Sequence, residues 1–430
     1  MDQSAKSKKD HLYLSDSDRE LLTGESGPGA QMAMRIIVRM AQIQGVERLM
    51  DIEAAHIDSS LYMGEATLAF AEKLVDLGAK VAVPSTLNVS GVDEHGWRHW
   101  SVPPNWAEKA QRQMRAYEEM GCIPTWTCAP YQTEFKPKFG QQIAWGESNA
   151  IVFANSIIGA RTERYPDLLD ICAAITARVP AVGLHLEENR AGHVLLRLKE
   201  VPDRVQKHES FYPVLGHLMG KVAGEKNPVV VGMEVHPEWD QLKALCAATA
   251  SSGTVGLFHL VGITPEAPTL EAALQGNEPE QEIDVTMEHL REAWRELSTA
   301  EGRELDLVVL GCPHFSLAEF ERLVRLVDGK EKHKGVKFLI NSSRAMKALA
   351  DEAGHLRSLE AFGGVVTVDT CPLATPMLPP EAKVVMTNSG KFSYYAPGIL
   401  DDRVVFGALE DCVISAIEGR VVRDESLWRT

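Results

Sequence analysis

From residue 168 onward the chain alternates between two kinds of hydrophobic spacing. Short continuous apolar runs give way to stretches in which apolar residues return every three or four positions. The first spacing suits a buried strand, the second an amphipathic helix. Helix is expected over 168–178, strand over 181–186, strand over 229–235, helix over 239–251 and strand over 254–261. Thr264-Pro265-Glu266 reads as a helix start with proline in the first turn. Helix 287–297 and strand 305–310 follow, then a helix reaching 327 that the capping-box pair Ser316 and Glu319 opens. Strand 336–340 runs into Asn341-Ser342-Ser343-Arg344 and another helix. Strands over 365–368 and 384–386 and a helix-like run over 410–417 complete the pattern. Strands alternating with helices imply α/β layers with largely parallel sheets.

The N-terminal third is less regular. Met32, Met34, Ile36, Ile37, Met40 and Ile43 recur at helical spacing within 16–50, and Gly24, Gly27, Pro28 and Gly29 divide that stretch in two. A short strand over 49–57 is expected to end in the polar cluster His56, Asp58, Ser59, Ser60 and Tyr62. Helix 65–77, strand 80–84, a Ser/Gly/Asn/Pro-rich loop over 85–105, helix 107–120, strand 123–128 and a small-residue helix over 148–159 come next. The charged stretch 187–209 reads as a connector with some helix. Residues 1–10 are polar and lysine-rich, lack a signal peptide's apolar core, and are expected to be disordered. The remainder, 11–430, divides into coarse lobes at about 11–165, 166–300 and 301–430.

Composition narrows the function classes. A chain of 430 residues with 45% hydrophobic content exceeds one small core, so two or three lobes are expected. A net charge of −16 argues against nucleic acid as the main partner. No apolar run reaches the length of a membrane span. The chain therefore reads as cytoplasmic, and its seven cysteines as metal, catalytic or core residues rather than disulfides.

Three cysteines share a local pattern. Trp126-Thr127-Cys128-Ala129-Pro130, Leu310-Gly311-Cys312-Pro313-His314 and Asp369-Thr370-Cys371-Pro372-Leu373 each end a β-like run that a proline stops. A sulfur there faces the crevice beside a sheet edge, where α/β proteins place ligands. Three such thiols suit one metal centre with a position open for substrate. Zinc, with His314 or His56 as fourth ligand, and an iron–sulfur cluster both remain open. Core or turn cysteine is the structural alternative. Cys172, Cys246 and Cys412 sit in helical runs and Cys122 at a helix end, as core cysteines do.

Two further stretches carry polar groups after β-like runs. Trp145-Gly146-Glu147-Ser148-Asn149 sets a carboxylate and a hydroxyl at the mouth of an apolar helix. Thr387-Asn388-Ser389-Gly390-Lys391 offers backbone N–H groups and one cation, which suits a carboxylate or phosphate, but lacks the P-loop spacing. Helix capping and a solvated turn are the structural alternatives. Asn88 also follows a strand end.

Taken in order, Leu22-Thr23-Gly24-Glu25, Ala55-His56-Ile57, Ser85-Thr86-Leu87-Asn88, Trp145 to Ala150, Gly311 to His314 and Asn388 to Lys391 resemble the large subunit, or catalytic domain, of aconitase X, a branch of the aconitase superfamily of hydro-lyases. The resemblance covers about residues 13–422. It implies several three-layer α/β lobes around a central cleft. It also implies an iron–sulfur cluster (4Fe-4S or 2Fe-2S) on Cys128, Cys312 and Cys371. Substrate contacts are implied at Ser59, Ser60, Asn88, Glu147, Ser148 and Lys391, of which Glu147, Ser148 and Lys391 form the catalytic group. Glu147 is the candidate acceptor for a substrate ring amine. Archaeal relatives acting on 5-phosphomevalonate look like Gly-Val-Ser where this chain has Ser59-Ser60-Leu61, and carry proline in place of Val89. The resemblance therefore leans to dehydration of cis-3-hydroxy-L-proline, with 5-phosphomevalonate as the alternative. A metal-stabilised, non-catalytic scaffold subunit is the rival from another class. The family's small swivelling domain, which bears a proton-abstracting serine, is not seen in the 430 residues. A separate small subunit, in a dimer of heterodimers, is the implied partner.

Overall fold

The computed structural model describes residues 12–429, and the segment 1–10 expected to be disordered lies outside them. Three parallel sheets organise the described chain. Ser85–Leu87, Ala54–Ile57 and Ile143–Trp145 form the first, in that spatial order. His259–Leu260, Pro228–Val231, Val194–Leu198 and Gln281–Val285 form the second. Val365–Thr367, Lys337–Ser342, Leu307–Phe315, Val384–Thr387 and Arg403–Phe406 form the third. The one antiparallel ladder among the described residues pairs Leu49–Asp51 with Arg178–Pro180. Parallel neighbours need crossover connections, and the helices between these strands supply them. The alternation in the sequence has the same origin.

The cores interlock. One apolar cluster joins the N-terminal helices to Leu307, Val309, Leu339 and Val385, on one face of the third sheet. Another packs the helix Ser148–Phe153, buried from Asn149 onward, with Phe211–Ala223 and Trp239–Ser252. A third fills the opposite face of the third sheet with Val308, Leu310, Phe338 and Ile340. Even and odd residues of one strand thus serve two cores, as the two-residue period of a strand requires.

Local structure departs from the sequence pattern in several places. Residues 80–84 are not a strand. The ladder starts at Ser85, because Pro84 has no N–H to donate and only its carbonyl is used, by the Ala55 N–H at 2.9 Å. Residues 49–57 split into two strands that belong to different sheets. In 123–128 only Ile123 bridges Thr86, and Trp126 at φ +43° turns the chain out of an extended path. Residues 181–186 hold a 3-10 turn, Gly183–His185. The charged connector conceals a central strand, Val194–Leu198, whose apolar Val-Leu-Leu run is flanked by polar residues. The helix expected at Thr264 begins at Leu270, where Thr269 accepts from the Ala272 N–H at 3.1 Å. Of 254–261, only His259–Leu260 pairs as strand.

The strand Leu307–Phe315 runs past its expected end and carries Cys312 within it. Gly311 makes this possible. It holds φ +83°, and a Cβ there would lie 2.0 Å from the Asn341 carbonyl oxygen of the neighbouring strand. Both the backbone angle and the contact exclude a side chain. Gly311→Ala is therefore expected to cost more than about 2 kcal/mol. A melting curve checks this, and an unchanged Tm would show that the two strands are not in tight contact.

Candidate active site

Loops leaving the C-terminal ends of two sheets open on one cavity of about 500 Å³. In the first sheet Asp58 follows Ala54–Ile57, Asn88 follows Ser85–Leu87 and Glu147 follows Ile143–Trp145. In the third sheet Cys312 and Asn341 lie near the ends of their strands, Cys371 follows Val365–Thr367 and Lys391 follows Val384–Thr387. Each strand end delivers one chemistry-bearing group, as expected for ligand sites of parallel sheets. A second cavity, of about 620 Å³, lies beside the edge strand Val365–Thr367 and is lined by Lys332, Lys337 and Lys347. None of these strand-end groups reaches it.

All seven cysteines are free thiols. Cys122, Cys172, Cys246 and Cys412 are buried in the apolar clusters, whereas Cys128, Cys312 and Cys371 are partly exposed and line the cavity together. Burial pushes all three of these thiols up, that of Cys312 to about 12, while the Lys391 ammonium pulls each of them down. The His314 N–H donates to the Cys128 sulfur at 3.3 Å. Among the described residues no group of three or more His, Cys, Asp or Glu side chains is gathered closely enough to grip a metal ion. His314 cannot complete a zinc site as it stands. Its Nδ1 meets Thr127 Oγ1 at 3.2 Å, its Nε2 meets the Thr370 carbonyl at 3.1 Å, and burial lowers it to about 4. His56 Nδ1 meets Thr86 Oγ1 at 2.8 Å, and His56 is not among the cavity residues.

Glu147 caps the helix Ser148–Phe153. Its Oε2 accepts from the Ala150 N–H at 2.9 Å and from the Asn149 side chain, and its Oε1 accepts from Lys391 Nζ and, at 3.3 Å, from Ser148 Oγ. Lys391 Nζ also donates to Ser148 Oγ at 3.1 Å. Burial works against the Lys391 charge, but Glu147 and the Cys312 and Cys128 sulfurs outweigh it and hold the lysine above its ordinary value. Lys391 sits on the first turn of Gly390–Ile399, where the Ser389 hydroxyl accepts from the Phe392 N–H at 3.0 Å and donates to the Cys312 carbonyl. One hydroxyl thus ties the lysine turn to the cysteine strand.

Cys128, Cys312, Cys371, Asn88, Glu147, Ser148 and Lys391 all line the cavity; Ser59 and Ser60 do not. Ser59 Oγ donates to Asp170 Oδ1 at 2.6 Å, and Ser60 Oγ donates to the Ile57 carbonyl at 2.8 Å. Both hydroxyls hold the turn together. Asp58 is the member of this stretch that faces the cavity. Buried Asp170 fixes it by accepting from the Asp58 and Ser59 N–H groups at 2.6 and 3.0 Å. Burial, with Glu147, Asp170 and Asp167 nearby, raises Asp58 to about 7; the hydrogen bond from Asn88 only partly opposes this. Arg164 is a second cavity residue that the sequence pattern does not reveal. Its Nη1 is buried without a partner, and no motif surrounds it.

The fold and the site together define a several-lobed α/β protein with a thiol-bearing ligand cavity where two parallel sheets end. The family models for the aconitase X first, second and third domains match residues 11–188, 192–295 and 305–418. The chain belongs to the aconitase X family. It is 47% identical over 414 residues to a cis-3-hydroxy-L-proline dehydratase of Pseudomonas aeruginosa, covering 96% of this chain and 71% of that protein. It is 34% identical over 404 residues to a phosphomevalonate dehydratase large subunit of Methanocaldococcus jannaschii, covering 93% of this chain and 99% of that one. The crystal structure of Thermococcus kodakaraensis aconitase X in its holo-form superposes with a TM-score of 0.84 at 33% identity, covering 94% of this chain and 100% of that chain. The expected aconitase-like α/β fold is therefore present.

Asp58 gives a stability prediction. Its folded value lies above its unfolded one, so the native state binds the proton more tightly. The group's contribution to stability then falls as pH rises from the ordinary carboxylate range to about 7. Asp58→Asn removes this cost while keeping an oxygen for the Asn88 donor. The variant is expected to exceed the wild type by roughly 2 kcal/mol at pH 8, after allowing for solvent in the cavity, with the gain vanishing below about pH 4. Paired denaturation curves across pH check the sign.

Proposed function

We propose that this chain is the catalytic part of a hydro-lyase that removes water from cis-3-hydroxy-L-proline to give pyrroline-2-carboxylate. The observation that carries the proposal is the meeting of three free thiols, a buried lysine–glutamate pair and a carboxyl in one cavity. The higher identity to the bacterial dehydratase than to the archaeal large subunit supports the substrate.

The donor set fits an iron–sulfur cluster. Cys128, Cys312 and Cys371 would hold it, because none is in a disulfide, they share the cavity and they face a cation that favours thiolate. Thiolates are the ligands that iron–sulfur clusters take, and three of them leave a position of such a cluster open. When bound, such a cluster supplies Lewis acidity for a departing hydroxyl.

The chain's own residues bind and orient the substrate. Lys391 and the Ser148 hydroxyl are placed to take its carboxylate, and the unpartnered Arg164 Nη1 offers a further donor. With both carboxylate oxygens engaged, Glu147 keeps Lys391 charged and aimed rather than accepting the ring amine. The base that takes the proton beside the carboxylate is assigned to a serine of a small swivelling subunit. The near-complete coverage of a protein described as a large subunit supports that division. A cytoplasmic setting suits free thiols and an oxygen-sensitive cluster. No helix among the described residues is long and apolar enough to cross a membrane.

Protein purified without oxygen, together with its small partner, is expected to contain iron and sulfide. It should dehydrate cis-3-hydroxy-L-proline and leave 5-phosphomevalonate untouched. Activity on the phosphate compound alone would reverse the substrate assignment. Cys312→Ser is expected to remain folded and to lose at least about 100-fold in kcat/KM. Unfolding of that variant, with zinc in place of iron and sulfide, would favour a structural metal in a scaffold subunit.

A further inference from the structure

We propose that Asp58 Oδ2 and Asn88 Oδ1 form a two-acceptor seat for the ring ammonium of the substrate, and that this seat selects an amino acid over a phosphorylated hydroxy acid. The inference rests on the substrate class proposed above and assigns the group that recognises its nitrogen.

Charge accounting in the cavity leads there. Lys391 is already paired with Glu147. Among the described residues no cation pairs with Asp58, and Arg164, the cavity's other cation, is not among the groups that chiefly act on it: those are the carboxylates of Glu147, Asp170 and Asp167, and its hydrogen-bond donor is the Asn88 amide, to Oδ1. Oδ2 has no partner among the described residues. Asn88 is 2% exposed and lines the cavity, and because its Nδ2 is committed to Asp58, its Oδ1 is buried with no donor. Two acceptors on hydrogen-bonded neighbours therefore lack donors, and one of them is ionisable with no counter-charge.

A protonated secondary amine carries two N–H bonds and one positive charge. It satisfies both acceptors and supplies the missing counter-ion. Its positive charge also offsets the burial and the neighbouring carboxylates that push Asp58 up to about 7. A phosphate offers no N–H and brings negative charge beside Asp58, whose main charged neighbours are already carboxylates. Leaving a buried acceptor unpaired makes such a site reject a ligand that lacks the donor far more strongly than shape alone would.

The test compares two rings that differ at one atom. L-proline and tetrahydrofuran-2-carboxylate share the carboxylate and the ring size, but only the first has N–H groups. Calorimetric titration of the full chain is expected to show L-proline binding at least about tenfold more tightly. Asp58→Asn, with its fold verified by circular dichroism, should bring that ratio close to one. Asp167→Asn, an exposed charge at the same cavity, should change it by less than about threefold. A wild type that binds the two rings equally, or neither, overturns the seat. So does an Asp58→Asn variant that keeps the preference, or an Asp167→Asn variant that loses it equally. A preference that depends on Asp58 in a protein unable to dehydrate cis-3-hydroxy-L-proline would uphold the ammonium seat and sink the proposed reaction instead.

Discussion

The buried pair between Lys391 and Glu147 is the interaction on which the cavity depends. Glu147 comes from the end of a strand in the first sheet and Lys391 from the end of a strand in the third. Their contact spans the seam between the two. Taking both charges out of water is expensive, and such a pair adds little stability compared with well-packed apolar side chains. Its value here is positional. The same carboxylate caps Ser148–Phe153, and the same ammonium lowers the three thiols. Removing Glu147 would strand the buried ammonium and uncap a helix; removing Lys391 would strand the buried carboxylate and withdraw the cation that favours thiolate.

Other polar contacts across the seam enforce the same geometry. Asp369 pairs with Arg344, which also reaches Glu94, and the Ser90 N–H donates to the Asp369 carbonyl at 2.6 Å. Asp93 accepts from Thr367 Oγ1 at 3.0 Å. The loop that carries Asn88 is thereby laced to the segment that carries Cys371. From below, Lys243 on Trp239–Ser252 donates to the His314 carbonyl at 3.1 Å and pairs with Asp240 and Glu319. Cys312 is thus held by its own strand, by Ser389 and by the second domain. Three cores and these contacts together define the geometry of the cavity.

Much of this is legible in the sequence where local chemistry decides. The capping box of Ser316 and Glu319 is present, with the Glu319 N–H at 3.1 Å from Ser316 Oγ, because a cap is a contact between near neighbours. The pattern around Cys312 and Cys371 foretells a shared cavity because parallel strands end on one side of a sheet, and Cys128 joins them from a segment that makes only a single bridge, Ile123 to Thr86. What the sequence hides is rotation. Asp58, Ser59 and Ser60 fall in a 3-10 turn, where each residue turns about 120° from the last, so only one of the three faces the cavity. The family resemblance points to the serines, and polarity does not choose among the three. The turn is set by Asp170, more than a hundred residues away, and a one-dimensional pattern cannot show that. The strand Val194–Leu198 was hidden for a related reason: its place between two other strands comes from long-range pairing, while its neighbours in sequence are charged.

The two sides of the cavity carry opposite deficits. On the third sheet, three thiols and a lysine are arranged for electron-rich partners: a metal group and a carboxylate. On the first, Asp58 and Asn88 present acceptors with nothing to accept. A folded chain tolerates an uncompensated carboxyl only where the surrounding structure fixes it, and Asp170, bonded to two consecutive backbone N–H groups, does that fixing. Such residues persist at functional sites because a ligand supplies what the protein leaves out. A zwitterionic ring acid has its carboxylate and its ammonium on adjacent atoms. On the proposed reading it suits a cavity whose cationic and anionic groups face each other across a seam better than a substrate with two anionic groups does. On that reading, the charge pattern that costs stability is also the pattern that selects the ligand.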